Sequence, residues 1–217
     1  LWIRGQSNDY DNWRQMGNSG WGWDDVLPYF LKSENNELGK SEFHNDSGPI
    51  MVSNKKINLK MLDEFQNAAE ECGIPKTNDF NTGDNTGIGF FQFTTNHNKS
   101  LLKLRCSAAK GYLNPIKKRK NLKIITGAHV QKINFKGKKA ESVSFYQGNE
   151  VITIKARREI ILSAGSIGSP HILQVSGVGD SSKLKKNGIQ TVHELKGVGK
   201  NLQDHLMFRP VYKVKNL

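Results

Sequence analysis

The chain has 217 residues, of which 36% are hydrophobic; that fraction is low, yet four Trp, ten Phe and many Ile and Leu fit one or two packed domains better than a disordered chain. No apolar run reaches the ~18 residues that a membrane-spanning helix needs. The formal charge is +12, from 32 basic and 20 acidic residues. The lysines are spread out, and the densest run, Lys117-Lys118-Arg119-Lys120, comes with no zinc finger, RNA-binding signature or basic strip interleaved with aromatics. A solvated lysine-rich surface is the reading, with no nucleic-acid partner.

In chain order, residues 6–37 read as mainly helical. Asp9 to Trp13 suits a first turn with acidic residues at its positive end. Asp24 can cap a second helix carrying Val26, Leu27, Tyr29, Phe30 and Leu31, with Pro28 tolerated in its first turn. Residues 38–50 read as a polar loop leading into a short strand, Ile50-Met51-Val52. Leu59, Leu62, Phe65, Ala68 and Ala69 recur at helical spacing, an amphipathic helix stopped near Gly73. Residues 74–89 read as loop, Phe90 to Thr95 as an imperfectly alternating strand, and Ser107 to Leu113 as a helix closed before Pro115. Short turns between runs of Val, Ile, Phe and Tyr then predict strands over Leu122–Thr126, His129–Phe135, Ala140–Tyr146 and Val151–Ala156, an antiparallel meander. A short helix over Lys183–Gly188 and a strand over Thr191–Glu194 follow.

Between these lies Glu159 to Gly179. Ile160, Ile161 and Leu162 predict a strand buried on both faces. Ala164, Gly165 and Ser166 let the backbone turn sharply and come close to something flat or charged. Ser169 can cap a helix with Pro170 at its first position, and Gly177 and Gly179 can end it. Such a unit holds nucleotide phosphates in many α/β folds and binds nothing in many others. The two cysteines, Cys72 and Cys106, fit a pair, partly buried thiols or thiols with partners elsewhere. His44, His97 and His129 are isolated, surface or hydrogen-bonded, with no metal spacing.

The string Gly165-Ser166-x-x-Ser169-Pro170-x-Ile172-Leu173-x-x-Ser176-Gly177-Val178-Gly179 resembles the second signature of the glucose-methanol-choline (GMC) flavin oxidoreductases. Trp2-Ile3-Arg4-Gly5 with Asp9-Tyr10-Asp11-x-Trp13 is similar to the tail of the first signature. Gly20 to Phe30, Arg105 to Ala109 with Tyr112-Leu113, Asn121 to Val130, and Gly197 to His205 resemble later family segments in order. The wording is most similar to the insect glucose-dehydrogenase-like branch. The family's opening Gly-x-Gly-x-x-Gly unit and its C-terminal active-site His are not in the sequence, so the expectation is an internal fragment that neither holds FAD stoichiometrically nor turns over substrate by itself.

The resemblance implies an α/β fold, part of a glutathione-reductase-like FAD-binding domain with an antiparallel β-meander, plus part of a substrate domain. It implies segments 1–50 (FAD domain and flavin lid), 51–104 (substrate domain), 105–205 (FAD domain) and 206–217 (substrate domain again). It implies FAD as cofactor, with Val130 at the adenine end, Ala164, Gly165 and Ser166 against the adenosine and pyrophosphate, and Asn201, Asp204 and His205 along the flavin. Trp2, Arg4 and Gly5 would adjoin the flavin too. By residues alone, strand packing serves equally for Val130 and a tight turn for 164–166. The implied reaction is oxidation of an alcohol or sugar hydroxyl by hydride transfer to flavin, with electrons passed to a quinone, oxygen or another acceptor; no catalytic residue is assigned within the chain. Lyase chemistry on hydroxynitriles and a non-catalytic binding or structural homologue are the alternatives. The insect-like wording fits an extracellular site.

Overall fold

The computed structural model describes residues 1–54, 59–96 and 104–213. The chain divides into two compact units, Leu1–Lys123 and Ile124–Leu217.

The first unit opens with two helices. Helix α1 (Ser7–Gln15) starts on a reciprocal cap in which the Gln6 amide donates to Asp9 Oδ2 at 2.8 Å. Helix α2 (Trp23–Ser33) starts the same way from Gly22, whose N–H donates to Asp25 Oδ2 at 3.0 Å. Asp24 is therefore not the cap but sits in the first turn beside the positive helix end. Tyr10 gathers Trp13, Trp23 and Phe30 within 5.5 to 5.8 Å between ring centres. Directly after α2 the chain extends into β1 (Glu34–Asn36), which pairs parallel with β2 (Ile50–Val52). The polar loop between them is the crossover that a parallel pair requires. The predicted 90–95 strand does not form one ladder: Gln92 bridges Trp2, Phe93 bridges Ser53, and Thr95 bridges Arg105. Three different partners over four residues stitch segments together without building a sheet. Helix α3 (Lys60–Glu71) is the predicted amphipathic helix, but its apolar stripe is open to solvent, with Phe65 56% exposed. Residues Ala109–Leu113 form one π-helical turn. Among the described residues, Ile50, Val52 and Cys106 are the buried apolar side chains of this unit; most of its buried side chains are polar.

The second unit is built on the meander. Strands β3 (Ala128–Lys136), β4 (Lys139–Gln147) and β5 (Glu150–Lys155) pair antiparallel in sequence order, as the turn spacing predicts. The glycines of both turns, Gly137 and Gly148, have φ near +60°, the left-handed geometry of tight hairpins. Buried Ile133 and Phe145 mark the apolar face of the sheet. The opposite face carries a polar ladder: Asn134 Nδ2 donates to Ser142 and Ser144 Oγ, and Ser144 Oγ meets Thr153 Oγ1 at 2.9 Å. A bulge lies between Val130 and Lys132.

Two predicted strands are corrected. Residues 122–126 and 160–162 pair with no strand among the described residues, and Ile161 is 78% exposed. Apolar character predicts burial, but a strand also needs a ladder partner. Helix α4 (Gly165–Val175) begins before the predicted cap. The Ser169 hydroxyl accepts from the Ala164 N–H at 3.0 Å, and Pro170 lies inside the helix. Gly177 ends it as expected, at φ +90°. A short parallel pair, β6 (Val178–Gly179) with β7 (His193–Glu194), flanks α5 (Ser181–Lys186), whose cap is the Asp180 carboxylate.

Candidate functional site

Helix α4 is fixed to the meander by one hydroxyl. Ser176 Oγ accepts the Ile133 N–H at 2.9 Å and donates to the Ile172 carbonyl. Ser176 is buried, so the hydroxyl satisfies an amide that water cannot reach. This anchors the C-terminal end of α4 and leaves its N-terminal turn at the surface.

Along that helix runs a cleft of about 550 Å³. Ser166, Ile167, Pro170, His171 and Gln174 form one wall, and Gly199, Lys200, Asn201, Leu202 and Gln203 the other. Gln174 Nε2 ties the walls by donating to the Val198 carbonyl at 3.2 Å. The first amides of α4 have no acceptor one turn back, and Lys200 lines the opposite wall with its ammonium 3.7 Å from the Asp180 carboxylate. Gly165 has φ +84°, and a Cβ built on it meets nothing within 4 Å. Backbone can therefore be approached closely there. The walls offer backbone and side-chain N–H groups beside the apolar Ile167, Pro170 and Leu202, which suits an anionic group joined to a flat apolar one.

The predicted site residues separate accordingly. Ser166 and Asn201 face each other across the cleft, and Ala164 and Gly165 form the exposed turn just ahead of Ser166. Asn201 holds φ +56°, a left-handed conformation uncommon outside glycine. Val130 is half-buried in β3, paired with Phe145, and does not line the cleft. Asp204 and His205 lie in the exposed stretch beyond it, where Asp204 Oδ1 accepts the His205 backbone N–H at 2.9 Å. Cys72 is a free exposed thiol and Cys106 a free buried one. His129 is exposed, and His97 lies outside the described residues.

The first unit holds an arrangement that sequence reasoning missed. His44, read as isolated, is buried between two carboxylates, with Nδ1 2.6 Å from Glu34 Oε1 and Nε2 2.6 Å from Asp79 Oδ2. Glu34 Oε2 also accepts from Arg4 at 2.8 Å and from the Trp2 indole at 2.6 Å. The Arg4 amide donates to Asn81 Oδ1 at 2.8 Å, and the Asn81 amide to Asp79 Oδ1 at 2.8 Å. Burial by itself would lower the His44 pKa; hydrogen bonds to Asp79 and Glu34 outweigh it and raise the pKa to about 9. Burial would likewise raise both carboxyls, but the His44 hydrogen bonds and the charges of Arg4 and His44 hold them below their ordinary values. Arg4 Nε is buried with no partner. Trp2 and Arg4 were singled out by the resemblance; their partners at 34, 44, 79 and 81 had no sequence signal linking them.

The GMC oxidoreductase family model matches residues 1–207. The chain belongs to the GMC oxidoreductase family. It is 41% identical over 216 residues to an oxygen-dependent choline dehydrogenase of Pectobacterium atrosepticum, covering 99% of the chain and 38% of that protein. The enzyme of the same name from Proteus mirabilis is 42% identical over 219 residues, at 99% and 39% coverage. An FAD-dependent oxidoreductase from Chaetomium thermophilum superposes with a TM-score of 0.85 at 33% identity, over 94% of this chain and 37% of that one. Pyridoxine 4-oxidase from Mesorbium loti gives 0.84 at 28% identity, over 94% and 40%. The mixed α/β fold with its antiparallel meander is thus the corresponding portion of a GMC oxidoreductase. The chain spans less than half the length of these relatives.

Proposed function

We propose that the chain is a portion of an FAD-dependent oxidoreductase acting on the CH–OH group of an alcohol, with the cleft beside α4 as part of the FAD site. The supporting observation is the pairing of a side-chain-free, left-handed turn at Gly165 with a donor-rich cleft closed by Asn201 and Lys200. Gly165 and the Ser166 turn would admit the pyrophosphate and adenosine, Lys200, paired with Asp180, would line the opposite wall, and Asn201 would direct its amide into the cleft. Ala164 shapes that turn. Val130 would serve the adenine end through its backbone, and Asp204 and His205 would continue the Asn201 wall toward the flavin. Segments 1–50 and 105–205 would belong to the FAD domain, and 51–104 and 206–217 to the substrate domain. Bound flavin supplies the electron-accepting chemistry; these residues hold and orient it. Choline-like alcohols and oxygen as acceptor are the first candidates, because the bacterial relatives at about 41% identity carry the name oxygen-dependent choline dehydrogenase. A sugar hydroxyl, a quinone acceptor and the insect glucose-dehydrogenase-like branch are finer assignments of the same reading.

The test is flavin content in the full-length protein carrying Gly165→Val. A branched residue held at this φ carries ~1–3 kcal/mol of strain and blocks close approach, so flavin released on denaturation should fall roughly tenfold or more while the circular dichroism stays native. Unchanged flavin occupancy would overturn the assignment of this turn.

A further inference from the structure

The groups around His44, buried except for the half-buried Asp79, close into a ring. His44 holds Glu34, Glu34 holds Arg4, the Arg4 amide holds Asn81, the Asn81 amide holds Asp79, and Asp79 returns to His44. Each link spans 2.6 to 2.8 Å. The members come from four separate places in the chain: the opening segment, β1, the crossover loop and the loop before Gln92. An ionised carboxylate can only accept, so both ring nitrogens of His44 must donate, and only the imidazolium has two N–H groups. The charged groups facing one another are Arg4, Glu34, His44 and Asp79; Trp2 and Asn36 add neutral contacts. Two positive charges balance two negative ones only while His44 is charged.

We propose that the His44 imidazolium is an alkaline-sensitive latch, which while doubly protonated tightens the Trp2–Arg4 segment against the 79–81 loop and on losing one proton to solvent loosens both. Neutral imidazole has a single N–H, so one carboxylate loses its donor and the buried ring acquires a net negative charge. Loosening reaches the opening segment by two routes, through Glu34 to the Trp2 indole and Arg4 guanidinium, and through Asp79 and Asn81 to the Arg4 amide, while the bonds from Arg4 Nη1 to the Asn81 carbonyl and from Asn81 Nδ2 to the Trp2 carbonyl remain. The raised His44 value agrees with this geometry: the stabilisation is complete below the ordinary histidine range and is lost as pH rises toward about 9. The latch is a property of the first unit and stands or falls separately from the FAD reading.

The experiment is a pH titration of the full chain with 13C-labelled histidine rings, run alongside hydrogen exchange at the Arg4 and Asn81 amides. His44 should titrate near 9, well above an ordinary histidine. Protection at Arg4 and Asn81 should fall about tenfold across the same range after correction for intrinsic base catalysis, while Ile133 in the second unit stays protected. Asp79→Asn should bring the histidine midpoint down and the loss of protection with it. An ordinary histidine midpoint, or Arg4 and Asn81 protection that does not follow the titration, overturns the proposal. The wild-type measurement decides this even if substitutions at His44 fail to fold.

Discussion

Gly48 occupies a place that admits no side chain. A Cβ there would lie 2.4 Å from the Glu34 amide nitrogen and 2.5 Å from its carbonyl oxygen, while the Gly48 N–H donates to that same oxygen at 2.8 Å. Backbone has to move for alanine to enter, and the backbone in question carries a carboxylate of the buried ring. Gly48→Ala should therefore destabilise the first unit by on the order of 3 kcal/mol, read as a lowered denaturation midpoint with unchanged slope. Little of this is visible in the chain's letters. Gly48 is one of 21 glycines, and the atoms that exclude its Cβ come from Ser33 and Glu34, fifteen and fourteen positions earlier. His44 makes the same point. Its partners stand 10 and 35 residues away, and a histidine with distant partners is indistinguishable in sequence from one with none. Gly165 differs, since its neighbours in sequence already describe the turn.

Between α4 and the meander, the Ser176 hydroxyl adds a hydrogen bond to the packing of α4 on β3. It caps the Ile133 amide just past the bulge in β3. Ser176→Ala should leave that buried N–H without an acceptor and cost ~1–2 kcal/mol, whereas Ser176→Thr, which retains the hydroxyl, should recover most of the loss. Denaturant titration of the two variants beside the parent checks this. Local patterning located elements well where the pattern was complete within them. The meander's turns and alternation are self-contained, and all three of its paired strands fall where predicted. Residues 160–162 and 122–126 carry the same β-favouring composition but no ladder, because pairing is decided by a second segment. The N-terminus of α4 was placed late for a related reason. Ser169-Pro170 reads as cap and first position, yet the serine caps backward onto Ala164 while the helix already runs through Gly165.

Across the whole molecule, chemistry is divided unequally. The first unit has 17 basic and 14 acidic residues, a net of +3; the second has 15 and 6, a net of +9. Its buried groups divide as well, with the ionic ring in the first unit and Ile133, Phe145, Val178 and Leu184 in the second. All four tryptophans lie within the first 23 residues. Tryptophan fluorescence therefore reports the first unit, and hydrogen exchange at the Ile133 amide of the meander reports the second. Glu34 and Asp79 have lowered folded-state values, so their contribution is present above the ordinary carboxylate range and is lost as pH falls below it. His44 acts oppositely, contributing fully below about pH 6.5 and fading toward about 9. The fluorescence-detected unfolding free energy should be highest between about pH 5 and 6.5 and fall on both sides, by up to ~3 kcal/mol on the alkaline side. Protection at Ile133 should stay level over pH 6.5 to 9 after correction for intrinsic base catalysis. A parallel loss of Ile133 protection would show that titration of the ring is felt beyond the first unit.

Asn201 leaves a question about design pressure. Glycine would occupy its left-handed backbone without penalty, so Asn201→Gly is a substitution that random search for thermal robustness would keep returning. The same exchange strips an amide from the wall of the cleft. Sturdiness and occupancy thus pull in opposite directions at a single codon, and a library scored on heat tolerance alone should drift toward glycine at this position, while one scored on retained cofactor should hold asparagine.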